Sequence, residues 1–143
     1  MAFRTAEAQW QGTVNEGQGS IALGSGVFSG PYSFRSRTEE TKDTNPEELL
    51  AAAHAGCFTM SLSAHLTTAH YTVTRLHTTA QVHLRASREG FSIPAIDLET
   101  EAIVPGIDDA TFQEIAKNAE RNCPVSKALT GTEIHLKARL VSA

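Results

Sequence analysis

The chain has 143 residues, 41% hydrophobic and 20% charged, with 16 acidic against 12 basic side chains and a formal net charge of −4. That length suits one domain with a real core, and the acidic balance argues against nucleic acid as the main partner. No apolar run is read as long enough to span a bilayer, and MAFRTAEAQWQG has polar residues where a signal peptide needs an apolar stretch. A cytoplasmic location is expected, where a disulfide would be transient and catalytic rather than structural.

The first forty residues are expected to be extended. FRTAEAQWQGTV and GSIALGSGVF are separated by the turn-forming NEGQG, and PYSFRSRTEE would complete an antiparallel meander. As a strand, that third run sends Tyr32 and Phe34 one way and Arg35 and Arg37 the other. A helix then starts at Asn45: Asn45 is a good N-cap, Pro46 fits the first turn, and Glu48 stands at the capping-box position. Apolar content continues to Leu66, giving five or six turns. Alanine dominates the first half, and no polar face is clear after Cys57, as for a helix buried on several sides.

Two alternating segments, YTVTRLHTTAQVHLRAS and FSIPAIDLETEAIVPG, meet at REG and suggest a hairpin. DDATFQEIAKNAERN has acidic residues at its front and an amphipathic spacing of Phe112, Ile115, Ala116 and Ala119, a helix of about three turns. Pro124 starts a second short helix, PVSKAL, with Cys123 at its N-cap, and TEIHLKARLVS closes the chain as a strand. The order β-β-β-α-β-β-α-β predicts an α+β protein of antiparallel sheet with segregated helices around one long buried helix.

The two cysteines admit two readings. Unpaired cysteine often serves as a small buried hydrophobe, so Cys57 and Cys123 could be inert core residues. His54 and Cys57 have the spacing of helical metal ligands, but no CxxC or HxxxH pair supplies the rest of a zinc site. The alternative is peroxide reduction. A thiolate attacks the O–O bond, becomes a sulfenic acid and condenses with a second thiol. That chemistry needs a cation beside the first thiol and a second thiol within disulfide reach. Two thiols and two arginines, Arg35 and Arg37, are the candidates.

NPEELLAAAHAGCF followed by CPVSKAL, together with PYSFRSR and the VPGID loop, resembles the family of osmotically inducible protein C and the organic hydroperoxide resistance proteins. The likeness covers nearly the whole chain. It implies thiol-dependent reduction of organic hydroperoxides, and more weakly hydrogen peroxide, by an intertwined homodimer with active sites shared between subunits. It also implies that no bound cofactor is needed and that an external dithiol or lipoyl-bearing protein supplies electrons. By the same resemblance Cys57 is the peroxidatic cysteine and Cys123 the resolving one. Glu47 is then the acidic residue that pairs with an arginine, Arg37 in the osmotically inducible branch, which CPVS also favours.

Free cysteine is mostly protonated at neutral pH, and burial makes this worse, so a cation is required. Cys57 lies too far into its helix to use the helix dipole. Arg37 can supply the charge, oriented by Glu47 through a bidentate pair. Ten residues of helix separate Glu47 from Cys57, about 15 Å, so the pair is expected to serve the Cys57 of a partner subunit. His54, one turn before Cys57, could give a proton to the departing alkoxide, but is expected to be a packed or hydrogen-bonded core histidine instead. Phe28, Tyr32, Phe34, Phe58, Met60 and Phe112 are candidates for either core or an apolar peroxide pocket. Two rival classes use the same fold: a non-catalytic stress-response dimer, and a binding protein for a small apolar ligand.

Overall fold

The computed structural model describes residues 2–142, in two compact units, Met1–Leu49 and Leu50–Ala143. In the first unit β1 (Ala6–Gln11), β2 (Gln18–Leu23) and β3 (Ser29–Tyr32) form the expected antiparallel meander. Its register sets Gly19 between Trp10 and Tyr32. A Cβ at Gly19 would fall 2.6 Å from the Trp10 ring, so only glycine lets the two rings close over this strand. They meet edge to face with centroids 5.4 Å apart.

The third run does not stay extended through Arg37. Ser33 accepts a hydrogen bond from the Ser36 N–H, and the Ser36 hydroxyl accepts one from the Ser33 N–H. This capping box starts a short helix, α1 (Phe34–Thr38). Local capping therefore overrides the alternation, and Arg35 and Arg37 do not share a strand face. An isolated bridge from Tyr32 to Thr44 and a hydrogen bond from Asn45 Nδ2 to the Ser36 carbonyl (3.0 Å) tie α1 to the start of α2 (Pro46–Thr68).

Asn45 caps α2 as expected, accepting from the Glu48 N–H at 2.8 Å. Glu48 does not complete the box. Its carboxylate accepts a hydrogen bond from the Thr44 hydroxyl instead, at 3.1 Å. With 23 residues and an 18-residue stretch of mean hydropathy 1.2, α2 is long and apolar enough to cross a membrane, contrary to the sequence expectation. Its buried His54 and the packing of Phe58, Leu62 and Leu66 into the core bury one side of it, while Ala52, Gly56, Met60 and Ala64 are exposed, so the expected burial on several sides is not observed.

In the second unit the two alternating segments are each broken. β4 (Arg75–Val82), β5 (Arg85–Ser87), β6 (Gly90–Ser92) and β7 (Ala95–Ile103) nest as an antiparallel β4–β7 pair with a separate β5–β6 hairpin at its tip. Pro94, which has no N–H to give a ladder, stands at the break. Then come α3 (Asp109–Asn122), which fills the expected segment and is capped by Asp108, α4 (Pro124–Ala128) and β8 (Glu133–Leu140). The last strand pairs with β7 in parallel, not antiparallel, register. The stretch through α3 and α4 provides the long crossover that a parallel return needs.

β7 lies in the middle of the β4-β7-β8 sheet. Leu98 and Ala102 pack with Phe58, Leu62 and Leu66 of α2 and with Phe112, Ala116 and Ala119 of α3. The buried Thr100 hydroxyl is satisfied by the Thr78 hydroxyl at 2.9 Å, and Thr78 receives the Thr59 hydroxyl of α2 at 2.7 Å. A ladder of three threonines thus ties helix to sheet where the rest of the contact is apolar. Truncating the fully buried Phe112 to alanine is expected to lower stability by about 3–5 kcal/mol. Urea unfolding measures this, and an unchanged midpoint would show that α3 does not anchor this core.

Candidate active site

The two cysteines come together in the second unit. Cys57, in the middle of α2, is partly buried, and Cys123 is fully buried. Their sulfurs lie 3.0 Å apart as free thiols, about 1 Å more than a disulfide bond. Cys123 is the single residue between α3 and α4, ending one and capping the other. Pro124 disfavours a helical conformation at Cys123, whose ψ of 119° turns the chain there. The last turn of α3 is held by the Ser61 hydroxyl of α2, which donates to the Ala119 carbonyl at 2.8 Å.

The thiols are electrostatically unequal. Burial pushes the Cys57 thiol up, the neighbouring Cys123 thiol adds to this, and the Val125 N–H offsets only part. Burial would also raise Cys123. That effect is outweighed by the Cys57 thiol, by the N–H and hydroxyl of Ser126 and by the Val125 N–H, so Cys123 lies below its ordinary value. The two thiols therefore shift in opposite directions, Cys57 up and Cys123 down.

The two cation candidates belong to the first unit and differ in partner and exposure. Arg35, with 74% of its side chain exposed, pairs with Glu39 along α1. Arg37 Nε donates to Glu47 Oε1 at 2.8 Å, with Arg37 31% and Glu47 8% exposed. The expected two-pronged geometry is not formed, since Glu47 Oε2 is buried without a hydrogen-bond partner. Trp10, Val14, Tyr32, Ser33, Phe34 and Arg37 line a cavity of about 360 Å³ in this unit. Tyr32 and Phe34 were legible candidates for such a pocket; Trp10 and Val14 join them only through the meander. Phe58 and Phe112 are core residues with no exposure, and Phe28 and Met60 are exposed.

Two groupings escaped the sequence reading. His54 Nε2 lies 2.7 Å from the Ser126 hydroxyl, and both residues are buried. A signal existed: His54 is one turn before Cys57, and Ser126 is one turn after Cys123. Where the cysteines meet, their neighbours can meet as well. On the exposed side of the sheet, Asp97 bonds both His83 (2.7 Å) and His135 (2.9 Å), because the β7–β8 register sets Asp97 beside His135. His135 is raised by hydrogen bonds to Glu133 and Asp97, and Asp97 is lowered by the two histidines.

Known proteins resemble this chain in sequence and in fold. The family model of OsmC-like protein matches residues 39–138. The chain is 45% identical over 140 residues to peroxiredoxin OsmC of Escherichia coli, covering 97% of each. It is 33% identical over 91 residues to the organic hydroperoxide resistance protein of Xanthomonas axonopodis pv. citri, covering 62% of this chain and 61% of that one. Among solved structures, an organic hydroperoxide resistance protein OsmC from Legionella pneumophila superposes with a TM-score of 0.74 at 25% identity, over the full length of both chains. The chain belongs to the OsmC-like protein family.

Proposed function

We propose that this protein is a thiol-dependent peroxidase that reduces organic hydroperoxides to alcohol and water. The observation that carries this reading is the 3.0 Å contact between the only two thiols of the chain. The names of its relatives, a peroxiredoxin and an organic hydroperoxide resistance protein, point the same way. Cys57 is assigned as the attacking thiolate. A sulfur–oxygen bond forms, the O–O bond breaks, and the alkoxide takes a proton to leave as alcohol. Cys123 then displaces hydroxide from the Cys57 sulfenic acid, giving a disulfide and water. Two electrons from an external dithiol, free or carried as a lipoyl group, restore both thiols.

Arg37 and Glu47 are assigned to the first step. A buried thiol raised by its surroundings needs a fixed positive charge, and a guanidinium held by a buried carboxylate supplies one without titrating. The aromatic cavity beside Arg37 supports an apolar tail on the substrate, so alkyl hydroperoxides are favoured over hydrogen peroxide. A homodimer is part of the proposal. The outer face of α2 presents Ala52, Gly56, Met60 and Ala64 to solvent, with Met60 75% exposed. A groove of about 630 Å³ beside it is lined by Gly56, Met60, Val73 and Leu76. Such a face fits a second copy of the chain, whose Arg37 and Glu47 would serve this Cys57.

Three outcomes are expected. One equivalent of cumene hydroperoxide should convert both thiols to a Cys57–Cys123 disulfide, whereas Cys123→Ser should stop at the sulfenic acid and overoxidise. Two unreacted thiols after prolonged exposure would leave only an inert dimer or an apolar-ligand carrier. Arg37→Ala should slow Cys57 oxidation on the order of a hundredfold. Mixed with Cys57→Ser chains it should regain one working site per dimer; heterodimers that stay inactive beside working wild-type mixing controls rule out a shared site. Met60→Glu should shift the protein from dimer to monomer in sedimentation velocity and slow turnover with it. A dimer that persists unchanged would place the interface elsewhere.

A further inference from the structure

His54 is a fully buried titratable side chain that the steps above do not use. Its Nε2 is 2.7 Å from the buried Ser126 hydroxyl, while its Nδ1 is buried with no partner. An unpaired ring N–H would be costly there, and an unpaired acceptor is the better tolerated of the two, so the ring hydrogen belongs on Nε2. Nε2–H then donates to Ser126 Oγ, and the hydrogen of Ser126 is left free to point at the Cys123 sulfur.

We propose that His54 and Ser126 form a positioning pair that prepares the Cys123 thiolate for its attack on the oxidised Cys57. The inference rests on the peroxidase reading above and assigns residues to its second step. Burial holds His54 below its ordinary pKa, so the ring is a neutral, fixed donor rather than a group that exchanges protons during turnover. The hydroxyl and N–H of Ser126 both favour a charged Cys123 sulfur. Among the described residues of this unit, the titratable groups that bear on Cys123 are Cys57 and, through Ser126, His54. The step balances: the Cys123 thiolate attacks the Cys57 sulfenic sulfur, an S–S bond forms and the S–O bond breaks. Hydroxide leaves as water with a proton equal to the one Cys123 gave up on ionising.

The pair has a second, geometric effect. His54 stands one turn before Cys57 on α2, and Ser126 lies one turn after Cys123 on α4. Their hydrogen bond therefore clamps the two helices beside the sulfur contact. Without it, α4 is free to drift and the resolving sulfur to lose its line of attack, while the approach of peroxide to Cys57 is left as before.

Two measurements test this. In a Cys57→Ser chain Cys123 is the only thiol, and the ultraviolet absorbance of its thiolate reports its ionisation. Adding Ser126→Ala is expected to raise the midpoint by about one pH unit, a tenfold change in the thiolate equilibrium. Ser126→Thr, which keeps the hydroxyl, is expected to restore it. In the full chain treated with one equivalent of cumene hydroperoxide, dimedone trapping follows the sulfenic acid and mass spectrometry follows the disulfide. Ser126→Ala and His54→Phe are expected to prolong the sulfenic acid about tenfold, with the loss falling on the second step. His54→Gln, whose amide nitrogen reaches the place of Nε2, should recover most of it. A thiol midpoint unmoved by Ser126→Ala overturns the proposal whatever the peroxide chemistry does, and this arm stands even where His54→Phe fails to fold. A wild-type chain that forms no disulfide, with the midpoint shifted as expected, overturns the peroxidase reading alone.

Discussion

The structure turns on one contact: two sulfurs 66 residues apart in the chain, held 3.0 Å from each other in a buried setting. Nothing about a thiol pair enforces that distance, since a thiol is a weak donor and a weak acceptor. The enforcement comes from what surrounds it. Phe58 and Leu62 set α2 against α3, and Ser61 pins the last turn of α3. Pro124 makes Cys123 turn just where α3 ends. The His54–Ser126 bond closes the arrangement from the side of α4.

Burial has opposite consequences for packing and for chemistry. It lets Cys123 serve as a core residue, yet it disfavours the charged sulfur that any thiol chemistry requires. The second unit compensates at Cys123 with polar groups of α4, two backbone N–H groups and a hydroxyl. At Cys57 it offers only the Val125 N–H. The cationic partner suited to that deficit, Arg37 on Glu47, is built by the first unit from a capping box and the first turn of α2. The proposed chemistry assigns that charge to Cys57 of a second copy of the chain.

Helix α2 shows how polar groups are used where the surroundings are apolar. His54, Thr59 and Ser61 each meet a partner on a different element: Ser126 of α4, Thr78 of β4 and the Ala119 carbonyl of α3. Apolar contacts tolerate sliding by a fraction of an ångström, whereas hydrogen bonds fix register, so these three bonds specify where the helix sits along its axis. The opposite face carries alanine, glycine and Met60, and its exposure is the counterpart of that one-sided bonding.

Much of this was legible in the sequence, because it depends on neighbours along the chain. The cap at Asn45, the place of Pro124, the amphipathic α3 and the meander follow from local rules, and the paired cysteine motifs pointed to the family. Where two local rules competed, the sequence alone misread the outcome: serine capping turned Phe34–Thr38 into a helix, and Pro94 divided a long hairpin. The parallel return of β8, the meeting of His54 with Ser126, and Asp97 between two histidines came only from tertiary structure. Periodicity says which way a side chain faces on its own element. It carries no information on which distant element lies opposite, and the partners of these groups are decided there.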